Sequence, residues 1–355
     1  MKKLFFAILT SLLLLQFAFA QSVPLTQIEY VKMLYALQKN PAGKSELIAA
    51  LRKRGIAFTL TDGLRGLTRS KGANDEELKR TLEEAERRRQ NPAGAQLPNA
   101  KEASEALDKA RQNTLAAVEE MPDFVVKQQI QRSAAYAGTN NFRNLDRLIV
   151  AVSYRSTGEE DYKVLSVNGV LQENPKSKNS YSETGGTSST GEFVKVLDTI
   201  FKRDSETKFE VVDTDSINQR KAIVFSYNIE KDKAKQQITS FGYYEDSTIT
   251  GMAGKIWIDR ENYRVLRVES SATEIPETFP IRSAKRIIDY DWVTISGEKY
   301  LLPLRSDVRL TSRYQAKVYE TRNIILFKNY QKFGTDIIVL DDDTAPIPEE
   351  KPDQH

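Results

Sequence analysis

Few side chains in this chain could do chemistry, and most of them are carboxylates. The only histidine is His355, the last residue, and the chain has no cysteine. Histidine is the commonest general base, and cysteine is the usual thiolate nucleophile or ligand. A serine–histidine triad, a cysteine nucleophile, an Fe–S cluster and the usual zinc sites are therefore excluded. The phosphate-loop, calcium-loop and dinucleotide-binding glycine patterns are missing from the sequence as well.

Paired carboxylates are the remaining resource for acid–base catalysis. Asp289 and Asp291 lie two apart on one predicted strand, so both side chains should share a face. Asp259 and Glu261 flank a predicted turn. A carboxylate-dependent hydrolase stays open on this basis, but the same residues fit an ordinary turn and an outer strand face. We expect no enzymatic activity, no catalytic residue, no metal site and no cofactor.

Aromatic and aliphatic side chains offer a second kind of site. The strand-rich half of the chain holds the candidate ligand-binding residues, which are Trp257, Tyr290, Trp292, Leu302 and Leu304. Broad aromatic surface inside a curved sheet would suit an acyl chain. The alternative is that these side chains simply fill the core of the protein.

The elements that position these residues are long strands. Between Gly254 and Phe333, successive segments alternate apolar with polar residues, which predicts antiparallel strands with one buried face. In residues 220–229 neither face is strongly polar, so we expect the sheet to be covered on both faces. Residues 101–120 and 192–201 carry apolar stripes at helical spacing, and we expect these helices to lie against the sheet.

A long polar loop and a tight hairpin interrupt the strands. Residues 173–191 are rich in serine, glycine, asparagine and threonine, which is typical of an inert surface loop or of a lid over a binding site. The pair Asn168-Gly169 lies between two apolar runs. Both residues tolerate positive φ, so the pair predicts a hairpin with a type I′ turn.

The N-terminus has the pattern of a signal peptide. Residues 1–20 contain two lysines, an apolar core and the motif Ala18-Phe19-Ala20, which predicts cleavage after Ala20. The mature protein should therefore be periplasmic or secreted and should not span a membrane. Without cysteine it can form no disulfide and cannot be a lipidated lipoprotein.

Composition divides the remaining chain into four parts. We predict a helical module of four helices at residues 21–89, a linker at 90–100, a sheet domain at 101–340 and a disordered acidic tail at 341–355. The formal charge is only +3, so nucleic acid is not an expected partner. Basic clusters at residues 52–54 and 87–89 fit solvated helix ends, or a contact with an envelope partner.

Several segments resemble known bacterial proteins. Residues 106–333 are similar to uncharacterised secreted bacterial proteins, in EALDKARQNTLAAVEEMPDF, GEFVKVLDTIF, RKAIVFSYNIE, GKIWIDRENYRVLRVE, DYDWVTISGEKYLLP and FKNYQKF. The hairpin GKIWID…YRVLRVE with the later YLLP strand also resembles the curved half-barrel of the LolA/LolB-like lipoprotein-sorting carriers. That resemblance implies a concave face that takes lipoprotein acyl chains, and it assigns no functional residue here. The segment RKRGIAFTLTDGLRGLTRSKGANDEELKRTLEEA resembles a small helical module appended to various bacterial proteins.

The expected fold class is α+β. It comprises a small N-terminal helical module and a large, mostly antiparallel curved sheet, a LolA-like half-barrel packed with helices. The leading hypothesis for function is an exported, non-enzymatic binding protein that holds a lipid, an acyl chain or a lipoprotein on the concave face. The alternative is an envelope protein–protein interaction or scaffold module with a filled core, which contacts its partner through the helical module.

Overall fold

The computed structural model describes residues 23–173, 184–241, 245–314, 317–340, 343 and 345–354. The predicted signal peptide lies outside these residues, and so do residues 174–183 of the predicted loop. Contacts divide the chain into two compact units, one made of the residues up to Gly94 together with Gln354–His355, and one that spans Ala95–Asp353.

The first unit contains the helical module. Its helices are α1 Gln27–Leu37, α2 Lys44–Arg54, α3 Asp62–Lys71 and α4 Glu76–Gln90. Thr26 forms a capping box with Glu29 at the start of α1, and Thr61 and Asp75 cap the starts of α3 and α4. One apolar core holds the helices together, and its buried members include Leu34, Leu47, Leu51, Leu78 and Leu82.

The second unit is a sheet with helices. In the described part of the chain its helices are α5 Ala100–Glu119, α6 Lys195–Phe201 and α7 Lys231–Ala234. The strands are β1 Phe124–Tyr136, β2 Arg143–Tyr154, β3 Glu160–Val167, β4 Val170–Leu171, β5 Lys208–Ile217, β6 Arg220–Ile229, β7 Gln236–Phe241, β8 Glu245–Asp259, β9 Val265–Thr273, β10 Ile281–Ile295, β11 Glu298–Tyr314 and β12 Lys317–Lys332.

All described strands join one antiparallel sheet. Their order is β4-β3-β2-β1-β12-β11-β10-β9-β8-β6-β5, and β7 pairs with β8 beside this path. The sheet is curved and does not close, because β4 and β5 remain at its ends. Asn168 and Gly169 have φ of 49° and 82° in the turn between β3 and β4, as the hairpin prediction requires. The α+β half-barrel is confirmed.

One face of the sheet carries the helices, and we call it the helix face. Ala103, Ala106 and Ala110 of α5 pack with Ile200 and Phe201 of α6 in a core shared with β6, β8, β9 and β10. A second core covers β1, β2, β3 and β12 around Phe193. The directly paired residues Ile288, Ser306, Ile325 and Ile130 connect the two cores on the same face.

The approach of β8 to β9 at Gly254 gives a test of the sheet. A Cβ at this position would lie 1.9 Å from the Glu269 carbonyl oxygen, so Gly254→Ala must separate the two strands. We expect this change to lower the free energy of unfolding by about 3 kcal/mol or more, measured by denaturant titration with circular dichroism.

Gly66→Ala is the matched control for that prediction. Gly66 lies inside α3, and a Cβ there would meet open space. Alanine is the better helix former, so this change should stabilise the first unit by up to about 1 kcal/mol. An unfolding free energy of Gly254→Ala within about 0.5 kcal/mol of the parent would contradict the close strand approach.

Candidate functional site

The predicted ligand-binding residues do not meet in one place. Tyr290 and Leu302 are buried in the two cores of the helix face. Trp257 is buried on the opposite face, in a small cluster with Val224 and Leu266 among others. Trp292 and Leu304 are 40% and 36% exposed. These five side chains therefore line no common cavity among the described residues.

The candidate catalytic carboxylates serve separate structural roles. Asp289 forms an ion pair with Arg267, with 2.9 Å between Oδ2 and Nη2. Asp291 accepts a hydrogen bond from the backbone N–H of Trp292 at 2.8 Å. Asp259 accepts the backbone N–H of Glu261 at 2.8 Å, as an aspartate does in a turn. Each of these carboxylates therefore already has a structural partner.

Metal-binding clusters and membrane-spanning helices were both sought in the part of the chain that the structure describes. It contains no group of three or more histidine, cysteine or acidic residues that could hold a metal ion. No helix in these residues is both long enough and apolar enough to cross a membrane.

The helix face is covered by α5, α6 and residues 184–194. Asn323 donates to the Thr187 carbonyl oxygen at 2.6 Å, and the Thr187 and Thr321 hydroxyls lie 2.7 Å apart. Arg132 donates to the Gly185 carbonyl oxygen. The described end of the predicted 173–191 loop is therefore fixed to the sheet by hydrogen bonds and covers this face.

A row of directly paired residues crosses the opposite face of the sheet. Directly paired residues in antiparallel strands point to the same side, so these side chains share one face. We call this set, together with Lys127 two residues before Gln129 on the same face of β1, the cross-strand row: Gln129, Leu326, Arg305, Asp289, Arg267, Trp257, Val224 and Asp213. The row places charged side chains at the centre of a wide sheet.

Arg267 is the central charge of the cross-strand row. Its side chain is 2% exposed and pairs with Asp289 and with Glu350, whose Oε1 lies 2.8 Å from Nη2. Burial alone would lower the pKa of this guanidinium, but the two carboxylates reverse that effect and raise its pKa above the usual range. The arginine is therefore held charged inside the protein.

The described C-terminal residues follow the cross-strand row, and we call residues 338–340, 343 and 345–353 the tail. Lys127 Nζ lies 2.5 Å from Asp343 Oδ2, and both side chains are buried. The tail then has contacts with β1, β11, β9 and β5 in turn. They are Ile347 N–H to Gln131 Oε1 at 3.1 Å, Arg305 Nη1 to the Pro348 carbonyl at 3.2 Å, Arg267 to Glu350, and Ser216 Oγ to Asp353 Oδ2 at 2.9 Å.

The contacts of residues 343 and 345–353, which the structure describes, differ from the disorder that the sequence predicts for residues 341–355. Acidic, proline-rich segments have too little apolar surface to form a core of their own. Here Ile347 is the apolar side chain that the tail buries, and carboxylates of Asp343 and Glu350 neutralise buried cations. The sheet therefore supplies the partners that the tail sequence lacks, and the tail crosses the second face of the sheet.

The length of the tail matches the width of the row. Eight strands at about 4.8 Å spacing span roughly 34 Å. Asp343 contacts β1 and Asp353 contacts β5, and the ten residue steps between them reach about 31–34 Å when extended. Residues 345–353 therefore lie nearly fully extended, which three prolines at 346, 348 and 352 favour.

A separate cavity of about 720 Å³ opens beside β3 and α6. Glu160 in its lining accepts from the Tyr162 hydroxyl at 2.5 Å and from the Gly191 N–H at 2.9 Å. Burial raises the pKa of Glu160, and the neighbouring carboxylate of Glu192 raises it further, against the lowering effect of these hydrogen bonds and of Arg286. The lining is about half polar and carries charges of both signs, which suits an acyl chain poorly.

The basic clusters of the helical module are paired with carboxylates. Arg87 and Arg88 both form ion pairs with Glu84, and Arg89 forms one with Glu86. The two glutamates are 4% and 1% exposed. Their charges offset the arginine cluster, so its electrostatic attraction for an anionic surface is weak.

Pattern reasoning missed the cross-strand row because lysine and arginine in a strand normally indicate a solvated face. One signal was present in the sequence. The tail carries acids in a segment without a core of its own, while β1, β9 and β11 carry Lys127, Arg267 and Arg305 at positions that face away from the helices. Opposite charges on a tail and on a sheet face indicate that the two can pair.

Comparisons with known proteins give distant structural likenesses. No known protein family and no curated protein matches the chain by sequence. A DUF1329 family protein from Desulfovibrio piger is 9% identical, with a TM-score of 0.32 over 67% of this chain and 95% of that one. MucB in the Pseudomonas aeruginosa MucA/MucB complex is 10% identical, with a TM-score of 0.20 over 63% and 94%. At these TM-scores the likenesses carry no weight for fold or function.

The buried pair of Lys127 and Asp343 predicts how the tail is released. Burial opposes ionisation of Asp343, but hydrogen bonds from Lys127, the Leu340 N–H and Gln129 lower its pKa overall. Asp343→Asn leaves a buried cation uncompensated, at a cost of about 3 kcal/mol unless the tail undocks. We expect undocking, measured as faster cleavage after Glu350 by a glutamate-specific protease. Asp336→Asn, at an exposed position, is the control and should leave the rate unchanged.

The same pair predicts the pH dependence of tail docking. Because the pKa of Asp343 is lower in the folded protein, its contribution is complete above the unfolded value of about 3.9. It is lost as the pH falls through the folded pKa. Protection from an acid-tolerant protease should fall in that range in the parent and not in Asp343→Asn.

Glu160 should behave in the opposite way. Its pKa is raised on folding, so the charged carboxylate destabilises the folded state at neutral pH and this cost disappears as the pH falls. Glu160→Gln keeps an acceptor for Tyr162 and Gly191, and we expect it to stabilise the protein at pH 7 by on the order of 1 kcal/mol. Thermal unfolding at pH 7 and pH 4 measures this, and equal shifts at both values would contradict it.

Proposed function

We propose that this chain is an exported, non-enzymatic binding protein that serves as a protein–protein interaction or scaffold module of the cell envelope. The observation that carries the proposal is the filled helix face, where α5 and α6 already pack on the apolar surface of the sheet. Of the two hypotheses from the sequence, a filled core favours the interaction module.

The energy of that packing supports the choice. Ile200 and Phe201 are fully buried, and burying a side chain of this size stabilises a protein by about 1.5–3 kcal/mol. An acyl chain on the helix face would have to displace both, together with the alanine stripe of α5. A lipid would therefore replace existing contacts rather than fill a cavity.

The two parts of the proposal, export and binding without catalysis, are supported by different observations. The signal-peptide pattern of residues 1–20 supports export. Asp289 is paired with Arg267. Beside β3, Glu160 lies next to the carboxylate of Glu192, and both carboxylates accept hydrogen bonds from the protein. Binding without chemistry is the function that these side chains support best.

Native mass spectrometry of the mature protein, residues 21–355, tests this proposal. Protein purified from a bacterial host without detergent should have the mass of the polypeptide alone, and it should not bind a fluorescent fatty acid. A stoichiometric phospholipid or acyl chain would contradict the filled-core proposal and favour the lipid carrier.

Photo-crosslinking in the cell envelope gives the positive result that the proposal requires. Leu171 lies on the open edge strand β4 and is 63% exposed, and Ile28 on α1 is 82% exposed. A photoreactive residue at one of these sites should give a discrete protein adduct. Lipid adducts alone at both sites would argue against a protein partner.

A further inference from the structure

We infer that the cross-strand row is a docking track for an extended, acidic, proline-containing segment of a partner protein, and that the tail occupies this track in the free chain. The inference rests on the proposed function and names the partner's chemistry. Charge complementarity carries the inference, because Lys127, Arg305 and Arg267 follow one another along the track. In the tail, Asp343 pairs with the lysine, the Pro348 carbonyl oxygen accepts from the first arginine, and Glu350 pairs with the second.

The spacing of the tail contacts defines what the track recognises. The anchors are an acid that meets Lys127 and Gln129, an apolar residue at Ile347, an acid seven residues after the first, and a third acid at Asp353. In sequence terms the track takes D-x-x-x-I-P-x-E-x-x-D in an extended conformation. Its width requires this extension, since a helical segment of the same length would reach only about 15 Å.

With the tail in place, two side-chain N–H donors of the track still have no hydrogen-bond acceptor among the described residues. Within the described residues, Nη1 of Arg267 and Nη2 of Arg305 are buried without a hydrogen-bond partner. The Arg267 side chain is 2% exposed, and a buried unpaired donor costs about 1–3 kcal/mol. A partner segment with oxygen acceptors opposite these two donors would bind the track better than the tail does.

The tail is also held in a way that permits exchange. Residues 345–354 form no strand pairing, so the tail is fixed at separate anchor points rather than along a ladder. Its attachment to β12 gives it an effective concentration of about millimolar, which an external segment must overcome. The unpaired guanidinium donors are where a partner would gain the affinity to do so.

The test uses the full mature chain with a protease site inserted after Thr335, in the exposed turn that follows β12. The protein folds with its tail in place, and cleavage then makes the tail a separate, exchangeable peptide. The probe is a fluorescent synthetic peptide of residues 341–355, and its binding is measured by anisotropy before and after cleavage. We expect affinity to rise about tenfold or more on cleavage, because the attached tail no longer competes.

Changes in the peptide avoid any effect on folding. A peptide with Asp343→Asn and Glu350→Gln should bind about tenfold or more weakly than the parent peptide. A scrambled peptide of the same composition and charge should be equally weak. On the protein side, Arg267→Gln should lower affinity, whereas Lys208→Gln, at an exposed ion pair away from the tail, should not.

Three results would overturn the inference. Equal binding by the scrambled peptide would mean simple charge attraction, and failure of the peptide to exchange after cleavage would mean a permanent structural segment. Concentration-dependent dimerisation of the uncut chain would assign the track to the tail of a second copy. None of these results depends on whether the protein carries lipid, so the mass measurement and the peptide measurement can fail independently.

Discussion

The burial of Arg267 beneath the tail is the constraint on which the rest of the second unit depends. A guanidinium that is 2% exposed must be paired, since an uncompensated buried charge is strongly destabilising. Asp289 supplies one partner from the neighbouring strand and Glu350 supplies the second from the tail. Covering this face thus requires acids in a segment that comes from outside the sheet. Lys127 and Asp343 repeat the arrangement at β1.

The two faces of the sheet are covered by different physical means. On the helix face, apolar side chains of α5 and α6 pack on apolar strand residues, and the hydrophobic effect holds the layers together. On the opposite face the cover is an extended segment held mainly by ion pairs and hydrogen bonds. Such contacts are directional, and they depend on pH because the carboxylates must be ionised. The helix face is therefore held by hydrophobic packing, and the tail on the other face is held by separate polar contacts.

The sequence predicts much of the fold because local patterns determine it. Period-2 alternation identified the strands, Asn168-Gly169 identified a hairpin, and the apolar character of both faces of residues 220–229 indicated a sheet covered on both sides. The site was not predictable in the same way. Trp257, Tyr290 and Leu302 looked alike as apolar strand residues, but only register and long-range pairing decide which face each one occupies. The docking of the tail depends on pairing across more than 200 residues, from Lys127 to Asp343, which no local pattern contains.

The most direct measurement is the distance distribution between spin labels at Lys163→Cys and Lys351→Cys. The chain has no native cysteine, so both labels attach only where they are placed, and both positions are exposed. Pulsed electron paramagnetic resonance should give one narrow distance for the parent, because the tail is fixed along the cross-strand row. With Asp343→Asn and Glu350→Gln added, the distribution should broaden. A broad distribution in the parent, like that of an unattached flexible segment, would contradict the docked tail.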